Sequence, residues 1–493
     1  MTQSRRRFLR DSACGLSAAA FISSLDRFGL VNAMVQQPDA ASDYKALVCI
    51  FLSGGSDCNN MVVPYTQYGD PGGYQAVREA SGLAIPQSAL LQISPPNQSG
   101  NVFGFHPNLS PEVAGPAGTL PGLMAPWSQN KLAILCNYGS LLQPTTKAQY
   151  QSNVGGAFRP YQLFSHSDQV AQQMTSVSNK VGQTGWGGRV SDVTGGLNGV
   201  VPLPMSISVA GTSLFATGVT SRQLAIGTGT LASVLNLTWN GPAAQNPFTV
   251  GSAYRQILGF DTDATLIKGA SDTTNQALSA DTTLNQPDPV IATTFPATNI
   301  GNQLRQVAKL VKIGNTPAAS GGLGMKRQIF FCSLGGFDTH TNETSANPTV
   351  PNGAGGQGNL LTQLSQAMRA FYDEMVVQGN SNFVTQFTIS DFGRTFQPSG
   401  SGAAAVGSDH AWGSHAFILG GSVVGGMFYG TYPTLALNSP NDDGGNRGRW
   451  IPTTAIEQYA ATLSAWYGLA PSDIPKVFPN LVKFPTQNLG FLG

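Results

Sequence analysis

The chain has 493 residues, of which only 10% are charged, and its formal net charge is +1 at pH 7. Globular proteins average about 25% charged residues, so this composition is typical of a compact core under long, uncharged polar loops. Phosphate binding needs a basic surface, and this charge balance therefore argues against nucleic acid as a partner.

The N-terminus reads MTQSRRRFLR and continues into a mildly apolar stretch that ends in small residues near position 33. Arginines, Phe-Leu and an apolar stretch in this order predict a twin-arginine export signal at residues 1–33, with an ordinary basic helix as the alternative. Without these residues the formal charge is about −2. The signal predicts a periplasmic or extracellular protein. No later stretch approaches about 18 apolar residues, so no transmembrane segment is expected after signal removal.

Short apolar runs, rich in β-branched and aromatic residues, predict buried strands. They are Ala46 to Leu52, Leu132 to Cys136, Gln328 to Leu334, Phe383 to Ile389 and Ala416 to Leu419. Apolar residues spaced by three and four predict helices at Leu304 to Val311, Leu360 to Met375 and Ile456 to Tyr467. Strands that alternate with helices predict an α/β fold, with a mostly parallel sheet covered by helices on both faces.

Residues from about 190 to 295 differ from the rest of the chain, because they are rich in Thr, Ser, Gly, Asn and Ala and show weak periodicity. We interpret this segment as an insertion with irregular or β structure. It interrupts a single domain that we place at residues 34–493.

Loops with chemically active side chains adjoin the predicted strands. They are SGGSDCNN with Asp57, GGFDTH with Asp338 and His340, SDFGRT with Asp391 and Arg394, and GSDHAWGSH with His410 and His415. In open α/β sheets functional groups gather beyond the carboxyl ends of the strands. We therefore predict a convergent site for a divalent metal such as Zn, Mn, Mg or Ca. Taken singly, Asp-x-His is commonly a cap or turn, and Asp391 could simply pair with Arg394.

The segment LFSHSDQ, residues 163–169, offers a nucleophile beside an imidazole. Ser165 or Ser167 could attack a phosphate or sulfate group if a base or metal activated it. The alternative is a capping turn that opens a helix at Asp168.

Taken together, the twin-arginine signal and the motifs GGSDxxN, FDTH, SDFGRT and SDHxWGxH, followed by HAFILGGSVVGG, resemble the domain-of-unknown-function family 1501. That family is similar to the alkaline phosphatase and sulfatase superfamily, whose core is a large mixed sheet between helices with a metal centre at the strand ends. The resemblance spans essentially the whole mature chain. It implies an alkaline phosphatase-like fold and, because family members are often encoded beside another exported family, number 1800, a companion protein.

The resemblance also implies roles for single residues, which are listed here by position: Asp57 as the first metal carboxylate, Asp338 and His340 as a later ligand pair, Asp391 and His410 as further ligands, and Ser165 or Ser167 as nucleophile. Three departures stand out. Phe392 occupies the place of a ligand histidine unless His415 substitutes for it. The spacing from Asp338 to His340 is shorter than in phosphatases. Asp391 stands where the closer family usually has glutamate, without a recognisable Cys or Thr nucleophile motif.

Two functions remain open. The first is a metal-dependent hydrolase of phosphate or sulfate esters, in which Arg394 would hold an oxygen of the transferred group. The second is a non-catalytic exported binding or scaffold protein that acts with the companion protein. Phe392 and the missing nucleophile motif favour the second, and the His and Asp loops favour the first.

Overall fold

The computed structural model describes residues 43–110, 120–231, 256–260, 262–344, 356–402 and 405–493. The twin-arginine segment at residues 1–33 lies outside them, so it stays a prediction. Residues 45–493 form one compact unit. Within the described residues, every helix is too short or too polar to cross a lipid bilayer.

The strands fall into a nine-stranded sheet and a three-stranded one. In chain order they are β1 Lys45–Leu52, β2 Val62–Pro64, β3 Leu91–Ile93, β4 Phe103–Phe105, β5 Leu132–Gly139, β6 Ser206–Ser208, β7 Leu224–Ala225, β8 Arg327–Leu334, β9 Val384–Ser390, β10 Ser414–Gly420, β11 Phe428–Gly430 and β12 Thr454–Ala455. All five predicted strands are confirmed, each within two or three residues at its ends.

The large sheet is mixed but mostly parallel, with the order β11-β5-β10-β9-β1-β8-β6-β7 and with β12 beside β5. Its centre is parallel: β1 pairs with β8 from Lys45↔Arg327 to Leu52↔Leu334, and with β9 on its other side. β10 runs antiparallel to both β9 and β5. The start of β10 therefore lies at the edge where β9 and the strands parallel to β9 end, so the loop before β10 meets the loops that follow β1, β8 and β9.

The helices are α1 Cys58–Met61, α2 Tyr74–Arg78, α3 Met124–Ser128, α4 Lys147–Ser152, α5 His166–Thr175, α6 Trp186–Thr194, α7 Thr265–Leu284, α8 Asn299–Asn315, α9 Gln357–Val377, α10 Ile456–Tyr467 and α11 Ile474–Val477. The three predicted helices correspond to α8, α9 and α10. α8 begins where the Thr298 hydroxyl accepts a hydrogen bond from Gly301 N at 3.2 Å, and α10 ends at Gly468, whose φ is 118°.

Helices cover both faces of the sheet. On one face, Leu47, Cys49 and Phe51 of β1 belong to the same apolar core as α10. The opposite face carries Gln328 and Gln386, whose amides donate to main-chain carbonyls of α8 and α9. Because strand side chains alternate between faces, these contacts place α10 on one side and α8 and α9 on the other. The predicted α/β architecture of a mixed, mostly parallel sheet sandwiched between helices is confirmed.

The segment from about 190 to 295 differs from the expected insertion with irregular or β structure. β6 extends the main sheet by pairing in parallel with β8, and β7 pairs with β6. The segment also contains α7, a helix of 20 residues. Its Thr and Ser residues have low helix propensity, which hid the helix from the sequence pattern. Residues 232–255 and 261 lie outside the described part.

Glu457, in the first turn of α10, is fully buried, and burial raises its pKa from 4.5 to about 8. Between these values the unfolded chain has lost the proton that the folded chain keeps. The contribution of protonated Glu457 to the free energy of unfolding is therefore complete below about pH 4.5 and is lost as the pH rises through 8. We expect Glu457→Gln, which stays neutral, to gain stability over the wild type by roughly 1.4 kcal/mol per pH unit in this window. Urea unfolding between pH 5 and 8 measures the difference, and a constant difference contradicts the prediction.

Candidate metal centre

The loops after β8 and β9, the loop before β10 and the start of α5 meet at the carboxyl edge of the sheet. His166, Asp338, His340 and His410 lie there, and we call these four residues the histidine–aspartate cluster. Single ligand atoms of His166, Asp338 and His410 lie within 4.8 Å of one another. His340 joins them, with its Nε2 2.9 Å from Nε2 of His410.

The three imidazoles point their Nε2 atoms at one carboxylate oxygen. Nε2 of His166, His340 and His410 lies 3.3, 3.1 and 3.6 Å from Oδ1 of Asp338, respectively. Imidazole nitrogens beside a carboxylate oxygen are a ligand set that suits a tetrahedral or five-coordinate metal ion, with His166, Asp338 and His410 as the three groups that lie mutually close. Asp338 and His340 are about half exposed, so one side of the cluster is open to solvent.

The other ring nitrogen of each cluster histidine has a fixed partner. Nδ1 of His166 lies 2.8 Å from Asp391 Oδ2, Nδ1 of His340 lies 3.1 Å from Asp409 Oδ1, and Nδ1 of His410 lies 2.8 Å from the Phe164 carbonyl oxygen. When Nδ1 donates to an acceptor, Nε2 keeps a lone pair that faces the centre. Histidines that bind metals are held in this way by carboxylates and carbonyls.

The protonation states also fit a cation. Burial lowers the pKa of His410, and the charges of neighbouring side chains add to the effect, so its neutral form is favoured. Burial opposes ionisation of Asp338, but the hydrogen bond and charge of Arg394 outweigh it and hold the pKa of this carboxyl below its usual value. Neutral imidazole and ionised carboxylate are the forms that bind metals. Nε2 of His166 is buried and has no hydrogen-bond partner within the described residues.

Phe164 adopts a conformation that is rare for a bulky side chain, with a φ of 76°. Its carbonyl oxygen is the partner of His410 Nδ1. Strained backbone of this kind costs of the order of 1–3 kcal/mol and is concentrated at functional sites. The strain at Phe164 therefore supports a functional role for the cluster.

Gly54, in the loop after β1, allows the loops to approach each other. Its φ is 117°, and a Cβ atom there would lie 2.3 Å from the main-chain nitrogen of Asp338. Its own N–H donates to Asp391 Oδ1 at 3.0 Å. Glycine at this position thus lets the main chain pack directly against the loop that carries Asp338 and donate a hydrogen bond to Asp391.

Asp57 lies apart from the cluster histidines in a buried ion pair. Its Oδ2 is 2.5 Å from Nη1 of Arg78, and both side chains are fully buried. Its Oδ1 accepts from Asn59 and caps α1. Burial disfavours ionisation of Asp57, but the charge and hydrogen bonds of Arg78 prevail and keep its pKa lowered. Arg78 therefore already supplies the cation that the sequence analysis assigned to a metal.

His415 is likewise outside the cluster, because it lies within β10 and is buried. Its Nδ1 accepts the main-chain N–H of Asn137 at 3.1 Å, and its ring packs 5.2 Å from that of Tyr432. Burial lowers its pKa to about 4. Phe392 packs against the cluster instead, with its ring 4.8 and 4.7 Å from those of His166 and His410.

Asp391 and Arg394 reach the cluster but do not face its centre. Asp391 is buried, and its Oδ2 contacts Nδ1 of His166, the ring nitrogen that points away from the centre of the cluster. The guanidinium of Arg394 is fully buried. It donates to Asp338 and to main-chain carbonyls, including those of Gly54 and Gly55. Arg394 therefore orients Asp338, and its burial prevents the substrate contact proposed from the sequence.

Ser165 and Ser167 flank His166 at the start of α5. Their hydroxyl groups donate to Asp168 Oδ2 at 2.7 and 3.4 Å. These contacts fit a serine activated by a carboxylate base, and they fit a local turn at the helix start equally well. The roles of both serines as nucleophiles stay predictions.

His166 and Asp409 are not among the site residues predicted from the sequence. The sequence indicates His166 only as the imidazole beside the two serines, although it is one of four histidines in polar loops. Asp409 lies directly before His410, and its Oδ2 also pairs with Arg447. The main-chain carbonyl of Phe164 has no sequence signal, since every residue carries one.

We expect Asp391→Asn to weaken metal binding by about 10–100-fold, because an amide holds His166 less firmly and does not enhance its basicity. Competition with a chromogenic chelator measures the affinity. Asp272→Asn on α7, which breaks only an exposed ion pair with Lys268, is the matched control. Equal affinities of the two variants would contradict this role of Asp391.

The chain resembles several solved structures at low identity. One is Ps i-CgsB in complex with k-i-k-neocarrahexaose, with 8% identity, a TM-score of 0.32 and coverage of 89% of this chain and 76% of that one. The second is the C-terminal periplasmic domain of EcEptC from Escherichia coli, in complex with Zn, with 10% identity, a TM-score of 0.33 and coverage of 88% of this chain and 85% of that one. The third is the PsFucS1 sulfatase from Pseudoalteromonas sp., with 11% identity, a TM-score of 0.29 and coverage of 89% of this chain and 74% of that one.

No curated protein is a significant match to the chain. The model of one family, described as "Protein of unknown function (DUF1501)", matches residues 44–443. The match contains every residue of the histidine–aspartate cluster and confirms the family indicated by the sequence motifs. The chain belongs to the DUF1501 family.

Proposed function

We propose that this protein binds one divalent transition-metal ion at the histidine–aspartate cluster and hydrolyses phosphate or sulfate esters there, in the periplasm or outside the cell after twin-arginine export. The observation that carries the proposal is the convergence of three Nε2 atoms on Asp338 Oδ1, with each Nδ1 held from behind. Of the metals expected from the sequence, Zn or Mn fits this set better than Mg or Ca, which prefer oxygen ligands.

The cluster suits catalysis because it is partly open and firmly held. A metal ion bound there would polarise an ester oxygen and stabilise the charge that develops on the leaving group. Asp391 and Asp409 fix the orientation of their histidines, and Arg394 fixes Asp338. Phe392 gives the cluster an apolar wall. Of the two serines beside His166, Ser165 is the better candidate nucleophile, because its hydroxyl donates to Asp168 Oδ2 at 2.7 Å, against 3.4 Å for Ser167.

The test is metal analysis of protein purified through its native export route, combined with turnover of an aryl phosphate and an aryl sulfate. We expect about one metal ion per chain, turnover of at least one ester, and loss of both in His410→Ala. Lys268→Gln, on the exposed face of α7, is expected to keep both. Metal-loaded wild type that turns over neither ester at any pH or metal supply contradicts the hydrolase.

One observation favours a second candidate, a non-catalytic exported binding protein that acts with a companion of family 1800. Arg394 already contacts the Asp338 oxygen that the imidazoles face, and neither Arg394 nor Asp57 is free to contact substrate. Stoichiometric metal without turnover, together with binding to the companion protein, would support this function.

A further inference from the structure

A loop that belongs to none of the sequence motifs brings two arginines to the rim of the cluster. It is residues 445–450, with the sequence GNRGRW, and its main chain is hydrogen-bonded to residues 396 and 397. Arg447 O accepts from Gln397 N at 3.0 Å, and Gly448 O accepts from Phe396 N at 3.1 Å. Gly448 has a φ of 64°, and a Cβ there would lie 2.3 Å from Cβ of Phe396. The loop is therefore packed tightly in place.

Each of the two arginines touches a residue that holds a cluster histidine. Arg447 donates to Asp409, which holds His340. The guanidinium carbon of Arg449 lies 4.4 Å from the ring centre of Phe164, whose carbonyl holds His410. Each arginine is thus linked to a cluster imidazole through one intervening residue, Asp409 for Arg447 and Phe164 for Arg449.

Neither arginine uses all of its donors within the described part of the chain. The side chains of Arg447 and Arg449 are 33% and 27% exposed. Nε of each is a buried atom without a hydrogen-bond partner. The closest carboxylate to Arg449 is Asp443, at 3.7 Å, which is too long for a hydrogen bond. Both Nε atoms are closed to solvent, so a further acceptor would have to bind the Nη groups. Within the described residues, Arg447 uses one of these groups in a hydrogen bond to Asp409, and Arg449 uses neither.

The charges favour an anion. Four carboxylates and three guanidinium groups lie in and around the cluster: Asp338, Asp391, Asp409 and Asp443 against Arg394, Arg447 and Arg449. A bound divalent ion adds two positive charges and makes the formal sum of this set positive. Arg394 is buried away from any substrate, so the exposed cationic donors are Arg447 and Arg449.

We infer that Arg447 and Arg449 form an anion subsite that holds the tetrahedral oxyanion group of the substrate, a phosphate or a sulfate, beside the histidine–aspartate cluster. The inference rests on the proposed function. Arginine suits this task because its planar donors match two oxygens of such a group. Arg449 is the cleaner residue to test, since Arg447 also supports His340 through Asp409.

The experiment measures the dissociation constants of inorganic phosphate and inorganic sulfate for the metal-loaded protein by calorimetry. Arg449→Gln, Arg449→Lys and Lys268→Gln are compared with the wild type, and metal content is determined for each. We expect the wild type to bind at least one of the anions and Arg449→Gln to bind it about tenfold or more weakly with unchanged metal content. Arg449→Lys should recover part of the affinity, and Lys268→Gln should match the wild type. The two anions distinguish a phosphate site from a sulfate site.

Two results would overturn the subsite. One is metal-loaded wild type that binds neither anion. The other is metal-loaded Arg449→Gln that binds both anions as tightly as the wild type. If the second occurs while esters are still hydrolysed, the subsite fails and the proposed function stands. Absence of metal from the wild type is the separate result that removes the proposed function. Circular dichroism of each variant verifies that it is folded.

Discussion

His166→Ala is expected to yield folded protein without bound metal, whereas His415→Asn should keep the full metal content. Nε2 of His166 faces Asp338 and has no hydrogen-bond partner among the residues that the structure describes, so the substitution removes one of the proposed ligands. The loss should exceed the about 10–100-fold effect of changing a residue that only orients a ligand. Metal content by mass spectrometry after dialysis, and affinity by chelator competition, measure the change.

His415→Asn is the matched control because asparagine can accept the same hydrogen bond from Asn137 N. This pair of variants separates the cluster seen in the structure from the ligand set expected from the sequence. Loss of metal in His415→Asn with retention in His166→Ala would reverse the assignment. It would then restore His415 as the residue that compensates for Phe392.

Arg78→Met should lower the free energy of unfolding by about 3–5 kcal/mol, because it leaves the carboxylate of Asp57 buried without its counter-charge. Glu343 lies in the same buried network, and burial together with the charge of Asp57 raises its pKa. Glu343 carries no positive charge in either protonation state, so it cannot replace the guanidinium group. Urea unfolding of the metal-free protein measures the difference.

Lys268→Met on α7 is the control for this second prediction, since it breaks an exposed ion pair with Asp272. Such pairs contribute about 0.3–0.5 kcal/mol. An Arg78→Met variant as stable as this control would show that Asp57 has another positive partner. Asp57 would then return as a candidate metal ligand.

The sheet could be predicted from the sequence because its strands are buried on both faces. After Lys45, β1 reads as an unbroken apolar run, ALVCIFL, and each of these residues is buried. The antiparallel direction of β10 could not be read from its residues, since parallel and antiparallel strands in a covered sheet share the same composition. α7 was missed because its Thr-rich sequence has weak helical periodicity.

The site could be predicted only as far as its loops. Strand ends indicated Asp338, His340 and His410, which the structure brings together. Asp57 and His415 have the same sequence signal, but each is engaged elsewhere in the fold. Arg78 neutralises Asp57, and the main-chain N–H of Asn137 donates to Nδ1 of His415. Arg78 lies 21 positions from Asp57 in the chain, with no motif to link them. His166 was missed as a ligand because only the folded chain aims α5 at the loop after β8.

The side chains of the cluster come from the start of α5, the loop after β8 and the loop before β10. An ion bound there would cross-link segments that are far apart in the unfolded chain. The unfolded chain holds no comparable set of groups, so the binding free energy adds to the free energy of folding. A chelator that removes the ion is therefore expected to lower the melting temperature of the whole folded unit.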